Sequence, residues 1–334
     1  MTPEISLVIP IYNEAPNIEA LYGEITAALD PWGRTYEVLL IDDGSSDGSA
    51  DLLAQLPGRD ARFRIIKFRR NFGQTPAFSA GFAHARGRII ITSDGDLQND
   101  PKDIPMLVAR LEEGFDIVCG WRKDRKDTLV TRRIPSIIAN RLISRATGVE
   151  LHDYGCSLKA FRSEVVKPLR LYGEMHRFIP AIASEFGVKV AEVVVNHRAR
   201  RAGTSKYGLS RTIRVILDLV TVKFLLNYAT RPLQIFGLVG VILGALGALI
   251  MAYLAFVRLF LHQGIADRPL LLFGILLVSS GLQLLTMGLL AELQARTYHE
   301  SQDKPTYAIR EIIEAHVDPG PPLVAAGLRG LPRG

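Results

Sequence analysis

Two aspartates separated by one glycine, Asp94 and Asp96, follow the apolar run IIIT and are well suited to metal chemistry. Side chains at positions i and i+2 of a strand point to the same side, so the two carboxylates can converge on one point. Gly95 between them would let a ligand approach the backbone closely. Mg²⁺ and Mn²⁺ bind such hard oxygens and complete their shell with phosphate and water. Solvated Asp-Gly turns are also common, so the pair alone leaves open a metal site or an acidic surface turn.

Polar residues also end other apolar runs of the chain. IPIYNE ends in Tyr12, Asn13 and Glu14, and LIDDGSSDGS carries an aspartate pair before a sharp Gly-Ser turn. An aspartate of that pair, Asp42 or Asp43, can accept hydrogen bonds from a ribose or a base edge, although a helix-capping role is commoner for one such residue alone. Ligands of parallel sheets bind beyond the carboxyl ends of the strands. These polar ends are therefore expected to form one site.

The elements that must position these residues alternate between strand-like and helix-like patterns. Helical stretches are predicted at Ala15 to Leu29, at Asp47 to Gln55 and at 136–147, with Asp47 as a helix cap. Most of the apolar runs lack polar alternation, which is typical of strands buried on both faces. The pattern predicts an α/β fold with a mostly parallel sheet and helices on both sides. The predicted strands are ISLVIPIY, YEVLLIDD, FRIIKFRR, RIIITSD and FDIVCGW.

The second half of the chain contains two long uncharged stretches, 233–257 and 269–291. Each exceeds the roughly 20 residues that cross a hydrocarbon core of about 30 Å. We expect two transmembrane helices, the alternative being a buried helical hairpin. The expected organisation is a cytoplasmic α/β domain at 1–208, a juxtamembrane segment at 209–231, a two-helix anchor at 232–292 and a C-terminal segment at 293–334. The juxtamembrane segment fits a helix on the membrane surface or one packed on the domain, and the Pro/Gly-rich end reads as disordered.

The distribution of charge gives an expected orientation. The N-terminus lacks the pattern of a signal peptide, and two cysteines cannot form a disulfide framework. Basic residues flank the two spans on their outer sides, which predicts an inner-membrane, multi-pass protein with both termini in the cytoplasm. The net charge of +6 is concentrated beside the spans. It therefore favours anionic lipids and phosphate-bearing substrates over nucleic acid, for which no zinc-finger or RNP-type motif is present.

An ordered set of motifs resembles the family-two glycosyltransferases. The set comprises IPIYNE, LLIDDGSSDGS, RNFGQTPAFSAGFAHARG, SDGDLQNDP, HDYGCSLKAF and RARRAGTSKYG. More narrowly it is similar to the dolichol-phosphate mannose synthase and bactoprenol glucosyltransferase group, over roughly residues 4–312. The resemblance implies a GT-A (Rossmann-like) fold with a nucleotide-sugar lying across the strand ends.

The same resemblance implies roles for individual residues. The nucleoside would be held by Pro10, Tyr12, Glu14, Ile41, Asp43, Ser93 and Asp94. The divalent cation, Mg²⁺ or Mn²⁺, would be bound by Asp94, Asp96 and Gln98. Diphosphate or acceptor phosphate would be gripped by Arg122 and Arg132, although the motif does not distinguish Arg132 from Arg133, and by a loop containing Arg200, Ser205 and Lys206. Asp153 would lie near the acceptor, as an orienting residue, a general base or only a turn residue before Gly155.

The implied reaction is an inverting transfer of a sugar from a nucleotide-sugar to a polyprenyl phosphate at the bilayer. UDP-glucose is the first expectation for the donor, by analogy alone. GDP-mannose and UDP-N-acetylhexosamines or modified pentoses are the alternatives. A processive polysaccharide synthase is disfavoured because neither Trp32 nor Trp121 lies in a QxxRW motif. A non-catalytic membrane scaffold is disfavoured by the intact charged cluster. Relatives further suggest a homo-oligomer.

Overall fold

The molecule contains an eight-stranded, mostly parallel sheet with strand order β7-β5-β6-β4-β1-β2-β3-β8, to which the first two thirds of the chain contribute seven strands. The computed structural model describes residues 2–123, 144, 148–171, 173, 175–184, 186–198, 232–265, 268–301 and 306–315. The strands are β1 Ile5–Ile11, β2 Tyr36–Asp42, β3 Phe63–Phe68, β4 Ile89–Thr92, β5 Ile117–Trp121, β6 Lys159–Arg162, β7 Val190–Val194 and β8 Ile309–Ile313. The helices are α1 Ile18–Leu29, α2 Ser49–Arg59, α3 Gln74–His84, α4 Ile104–Glu112, α5 Ser163–Val166, α6 Ile179–Ser184, α7 Pro232–Phe260 and α8 Pro269–Ser301.

The centre of the sheet confirms the predicted α/β fold. Strands β4, β1, β2 and β3 run parallel to one another, whereas β6 runs antiparallel between β4 and β5. Their residues are almost all buried because helices cover both faces. The carboxyl ends of β1, β2 and β4 therefore open at the same edge of the sheet, where the predicted site residues follow.

The helix boundaries differ in detail from those predicted. A 3-10 turn at Ala15–Asn17 precedes α1, and α2 begins at Ser49 instead of Asp47. The Asp47 carboxylate accepts hydrogen bonds from the Ser49 amide and hydroxyl, and from the Ala15 amide. It therefore caps the first turn from outside the helix, as its type suggests. The predicted helix at 136–147 lies outside the described residues apart from Ser144, as does the segment 209–231.

The edge strand β8 comes from beyond the two apolar helices, in the segment 293–334, and was not predicted. It pairs antiparallel with β3, with Ile65 opposite Ile313. Arg64 of β3 is buried and donates hydrogen bonds to Glu37 at 2.8 Å and to Glu314, just after β8, at 2.7 Å. The end of the described chain is therefore tied to the sheet by backbone pairing and by a buried cation.

Helices α7 and α8 form a close-packed apolar hairpin. A Cβ built on Gly281 would lie 2.6 Å from the Gly240 carbonyl oxygen, so only glycine permits this approach. The stretches Phe236–Phe260 and Pro269–Ala291 have mean hydropathies of 2.4 and 2.1, with 17% and 11% of their most apolar windows buried. Two candidate transmembrane helices with outward-facing apolar side chains are what a lipid environment requires.

Gly44 lies in the turn after β2, and a substitution there tests how tightly this turn packs against the backbone at Arg70. Its φ is +71°, and a Cβ would lie 2.5 Å from the Arg70 carbonyl carbon. Replacing Gly44 by Ala should lower the free energy of unfolding by about 3 kcal/mol, because strain and overlap with backbone act together. Urea unfolding followed by tryptophan fluorescence measures the change.

The matched control is Gly58→Ala, since Gly58 lies in α2 with no atom within 4 Å of a built Cβ. That change should leave the stability unchanged or raise it by up to about 1 kcal/mol. Equal stabilities of the two variants would contradict the close packing of the turn at Gly44 against Arg70.

Candidate functional site

The loop after β4 carries the acidic pair. Because β4 ends at Thr92, Asp94 and Asp96 lie in a loop, and strand alternation does not explain their placement. Both are buried. One oxygen of Asp94 accepts a hydrogen bond from the side-chain amide of Gln74 at 2.7 Å, and the other accepts from the Ser157 hydroxyl at 2.6 Å. The carboxylate of Asp94 is thus held in a fixed orientation at the end of the sheet.

The two carboxylates act on each other electrostatically. Burial, and then the neighbouring charge of Asp96, raise the pKa of Asp94, while the hydrogen bond from Ser157 opposes this. The Asp96 carboxylate accepts a hydrogen bond from the backbone amide of Gln98 at 3.1 Å. The side-chain amide of Gln98 donates to the backbone carbonyl of Arg198 at 3.4 Å. A divalent cation would relieve the repulsion between Asp94 and Asp96.

The carboxylates at this site fit a metal ion whose ligands come partly from the protein and partly from a substrate. Among the described residues, no group of three or more His, Cys, Asp or Glu residues is arranged to hold a metal. Mg²⁺ and Mn²⁺ sites commonly use one or two carboxylates, with phosphate oxygens and water in the other positions. A carboxylate that accepts two hydrogen bonds still has lone pairs for a cation. Asp94 and Asp96 therefore suit such a site.

Gly95 packs closely against the end of β1. A Cβ at this position would lie 2.4 Å from Ile11 Cδ1 and 3.3 Å from the Pro10 carbonyl oxygen. The glycine therefore lets the acidic loop pack onto the end of β1. The close approach of a ligand to Gly95 stays a prediction.

A polar cleft of about 440 Å³ opens beyond the ends of β2 and β3. Asp42 lines this cleft, whereas Asp43 points to the loop before α3. The oxygens of Asp43 accept from the backbone amides of Phe72 at 2.7 Å and Gly73 at 2.9 Å. Burial raises the pKa of Asp43, and these two hydrogen bonds oppose the rise. Asp43 thus orders a loop, and Asp42 is the carboxylate that faces the cleft.

The other residues predicted to hold a nucleoside lie around the end of β1. Pro10 pairs with Ile41 across β1 and β2, and the Ile41 side chain is fully buried. The side chain of Tyr12 is partly exposed, and the Glu14 carboxylate accepts from the Asn17 amide at 2.6 Å. Ile41 is therefore enclosed within the sheet and offers no exposed side chain to a ligand.

Arg122 and Asp153 form a two-point ion pair at the end of β5. The distances are 2.7 Å from Arg122 Nε and 3.0 Å from Nη2 to the two carboxylate oxygens. Although burial opposes the charged form, the pairing with Asp153 raises the pKa of Arg122. Asp153 also accepts from the Gly155 amide at 3.1 Å, as a turn residue does. The structure therefore brings these two predicted residues together.

Four predicted site residues lie outside the described part of the chain, namely Arg132, Arg200, Ser205 and Lys206. Asn99, which donates to the Ser93 hydroxyl at 3.4 Å and to Ser157 at 2.8 Å, extends the polar network near Asp94. Sequence reasoning missed Gln74 and Ser157 as partners of Asp94. Both belong to motifs quoted for the family resemblance, but their contacts join segments far apart in the chain.

A mostly parallel sheet with an acidic loop after its fourth strand is the architecture of the GT-A-fold glycosyltransferases. The fold matches that of glucosyl-3-phosphoglycerate synthase from Mycobacterium tuberculosis, solved in complex with Mn²⁺, UDP and glucosyl-3-phosphoglycerate. The TM-score is 0.53 at 20% sequence identity, over 67% of this chain and 80% of that one. At this identity the likeness concerns the fold alone.

The chain belongs to glycosyl transferase family 2, whose profile matches residues 6–170. It is 49% identical to the dodecaprenyl-phosphate galacturonate synthase of Rhizobium johnstonii, over 93% of each chain. It is 40% identical to the undecaprenyl-phosphate 4-deoxy-4-formamido-L-arabinose transferase of Edwardsiella ictaluri, over 93% of this chain and 95% of the relative. The family and the glycosyltransferase class expected from the motifs are thereby confirmed.

Proposed function

We propose that this protein transfers a sugar from a nucleotide-sugar to a polyprenyl phosphate at the inner face of the cytoplasmic membrane. The observation that carries the proposal is the combination of the acidic pair Asp94 and Asp96 with an apolar hairpin in one chain. Relatives named for transfer to dodecaprenyl and undecaprenyl phosphate match this chain over 93% of its length, and that share includes the hairpin region.

The pairing of β8 with β3 supports the proposed topology. Because both strands belong to one sheet, the segments before α7 and after α8 must lie on the same side of a membrane spanned by the hairpin. The positive-inside rule assigns that side to the cytoplasm. The sheet would then face the headgroup of a lipid acceptor. Association into homo-oligomers stays a prediction.

For the donor we propose a nucleotide-linked galacturonic acid. The relative with 49% identity is named for galacturonate, while that with 40% is named for formamido-arabinose. A modified pentose is therefore the second candidate, and it was among the alternatives expected from the sequence. Nothing in the relatives' names favours UDP-glucose, the first expectation. UDP is the proposed nucleotide, and the cleft at Asp42 is its proposed binding site.

The proposed chemistry is one displacement at the anomeric carbon. A phosphomonoester has a second pKa of about 6, so the acceptor phosphate is largely dianionic at neutral pH and already nucleophilic. Its oxygen forms the new bond to C1 while the bond from C1 to the diphosphate oxygen breaks, and that oxygen takes the electron pair. The divalent cation would neutralise this developing charge. The configuration at C1 is inverted.

The proposed roles of the protein's groups follow from their positions. Asp94 and Asp96 hold the cation, with Gln98 as the further ligand. The ion pair of Arg122 and Asp153 leaves the Asp153 carboxylate engaged at both oxygens, so we assign Asp153 the orientation of Arg122 in preference to proton abstraction. Arg132, Arg200, Ser205 and Lys206 are proposed to bind the diphosphate or the acceptor phosphate.

The direct test is transfer by the full chain in lipid nanodiscs. Radiolabelled nucleotide-sugars are offered with undecaprenyl phosphate, and the label is measured in the organic-extractable fraction. We expect transfer from UDP-galacturonate, loss of transfer on addition of EDTA, and recovery with excess Mg²⁺ or Mn²⁺. The donor panel includes UDP-formamido-arabinose, UDP-glucose and GDP-mannose.

Undecaprenol, which lacks the phosphate, is the matched control acceptor and should receive no sugar. Absence of lipid-linked label from every donor would contradict the proposed activity. Transfer that persists in EDTA would contradict the role of the metal alone.

A further inference from the structure

A small, partly open cavity of about 40 Å³ lies beside Asp94, on the side of the sheet covered by α3. Phe161 and Lys159 of β6 line it, together with His176 and Arg177 of the 3-10 helix Met175–Arg177. A volume of this size exceeds the roughly 10–15 Å³ that one water needs. It is suited to a substituent of a few atoms and is too small for a sugar ring.

Lys159 brings a buried positive charge to this cavity. The residue is 4% exposed, and its ammonium group donates a hydrogen bond to the Tyr154 carbonyl at 3.3 Å. In the part of the chain that the structure describes, Lys159 has no ion pair with a carboxylate. Asp94 attracts it at longer range, but the oxygens of Asp94 already accept from Gln74 and Ser157. An ammonium group has three donors and is costly to bury without an anion nearby.

The other groups of the cavity wall define its charge. The His176 ring lies 2.7 Å from the Thr75 hydroxyl, and burial together with Arg177 and Lys159 holds the pKa of His176 well below its usual value. His176 is therefore neutral, and the cations at the cavity are Lys159 and Arg177. Asp94 also lines the cavity, so its wall carries two cations and one carboxylate.

We propose that this cavity binds the carboxylate of the donor sugar, with Lys159 and Arg177 as the residues that select an acidic sugar over a neutral one. The inference rests on the proposed function, because the sugar must be bound next to Asp94 for its substituent to reach the cavity. Lys159 and Arg177 both line this cavity, and a carboxylate on a sugar bound beside Asp94 is the anion that would meet them there. A planar carboxylate also fits the small volume better than a tetrahedral phosphate.

The test compares two donors that differ only in this substituent, UDP-galacturonate and UDP-galactose. The full chain in nanodiscs is assayed for the ratio of kcat/KM with the two donors, and for the ratio of their binding constants by calorimetry. The variants are Lys159→Met, which keeps the length of the side chain, and Arg177→Gln. Lys167→Met, at an exposed lysine just after α5, is the matched control.

The wild-type protein and Lys167→Met should prefer the acidic donor by about 100-fold or more, because a site built for a polar group rejects the analogue that lacks it. Lys159→Met and Arg177→Gln should each lower that preference by at least about 10-fold. If Lys159→Met does not fold, as judged by thermal unfolding, Arg177→Gln carries the test.

An equal loss with both donors would overturn the inference, because Lys159 and Arg177 would then serve a phosphate or the fold. A wild-type protein that shows no preference in either measurement would overturn it as well. A wild-type protein that transfers neither sugar but binds UDP-galacturonate more tightly would contradict the proposed function while supporting the carboxylate site. The two proposals therefore fail by different results.

Discussion

Asp96→Asn lowers metal-dependent sugar transfer to polyprenyl phosphate by about a thousandfold, the largest effect on activity that we expect from one substitution. Asp96 is buried beside Asp94, and its charge contributes to raising the pKa of Asp94. An amide at Asp96 keeps the shape of the side chain but removes the negative charge that the cation balances. Transfer of labelled sugar is measured over a range of Mn²⁺ concentrations, and Mn²⁺ binding is followed by electron paramagnetic resonance.

The control for this change is Glu113→Gln, which also converts a carboxylate to an amide. Glu113 lies just after α4 and pairs with Arg110 at the surface, so activity and Mn²⁺ binding should stay at the wild-type level. Wild-type metal dependence in Asp96→Asn would show that the metal ligands are wrongly assigned. A variant that loses activity but binds Mn²⁺ normally would give Asp96 a role toward the substrate instead.

Arg64→Met should lower the free energy of unfolding by about 3–5 kcal/mol, the largest effect on stability that we expect. The Arg64 and Glu37 side chains are 6% and 5% exposed and lie 2.8 Å apart. Glu37 also accepts from the Ser6 hydroxyl and the Arg86 amide, both at 2.6 Å, so its charge is built into the core. Loss of the guanidinium leaves that buried charge without its cation. Urea unfolding of the detergent-solubilised chain, followed by tryptophan fluorescence, measures the change.

The same substitution at Arg86 is the control. Arg86 also pairs with Glu314, but its side chain is 51% exposed, so Arg86→Met should cost less than about 1 kcal/mol. Equal losses in the two variants would mean that the buried pair of Arg64 and Glu37 contributes no more than a surface ion pair.

The central strands were predictable because their sequences leave little choice. Runs such as LVIPI and VLLI are apolar on both faces, and helix-like segments separate them, so a buried parallel sheet follows. The acidic pair was predictable by its position after such a run. The same local patterns located the starts of α1 and α2 only approximately, because a 3-10 turn at Ala15–Asn17 precedes α1 and because α2 begins two residues after Asp47.

Contacts between distant segments were not predictable. Strand β8 is short and amphipathic, and its pairing with β3 depends on the fold of the whole chain. Of the adjacent aspartates Asp42 and Asp43, only the three-dimensional structure shows that the first faces the cleft and the second orders the loop before α3. Ser157 reaches Asp94 across 63 positions of sequence, a distance over which local patterns carry no information.

The position of β8 also has a consequence for biosynthesis. In the proposed topology, ribosomes complete β3 long before they reach Ile309–Ile313, and the two helices of the hairpin must be translated in between. The nascent cytoplasmic domain therefore exposes the unpaired edge of β3, and Arg64 lacks its partner Glu314, until the hairpin has entered the bilayer and β8 pairs with β3. Completion of the sheet thus reports successful membrane integration, and a chain that fails to integrate would present that open edge to chaperones and proteases.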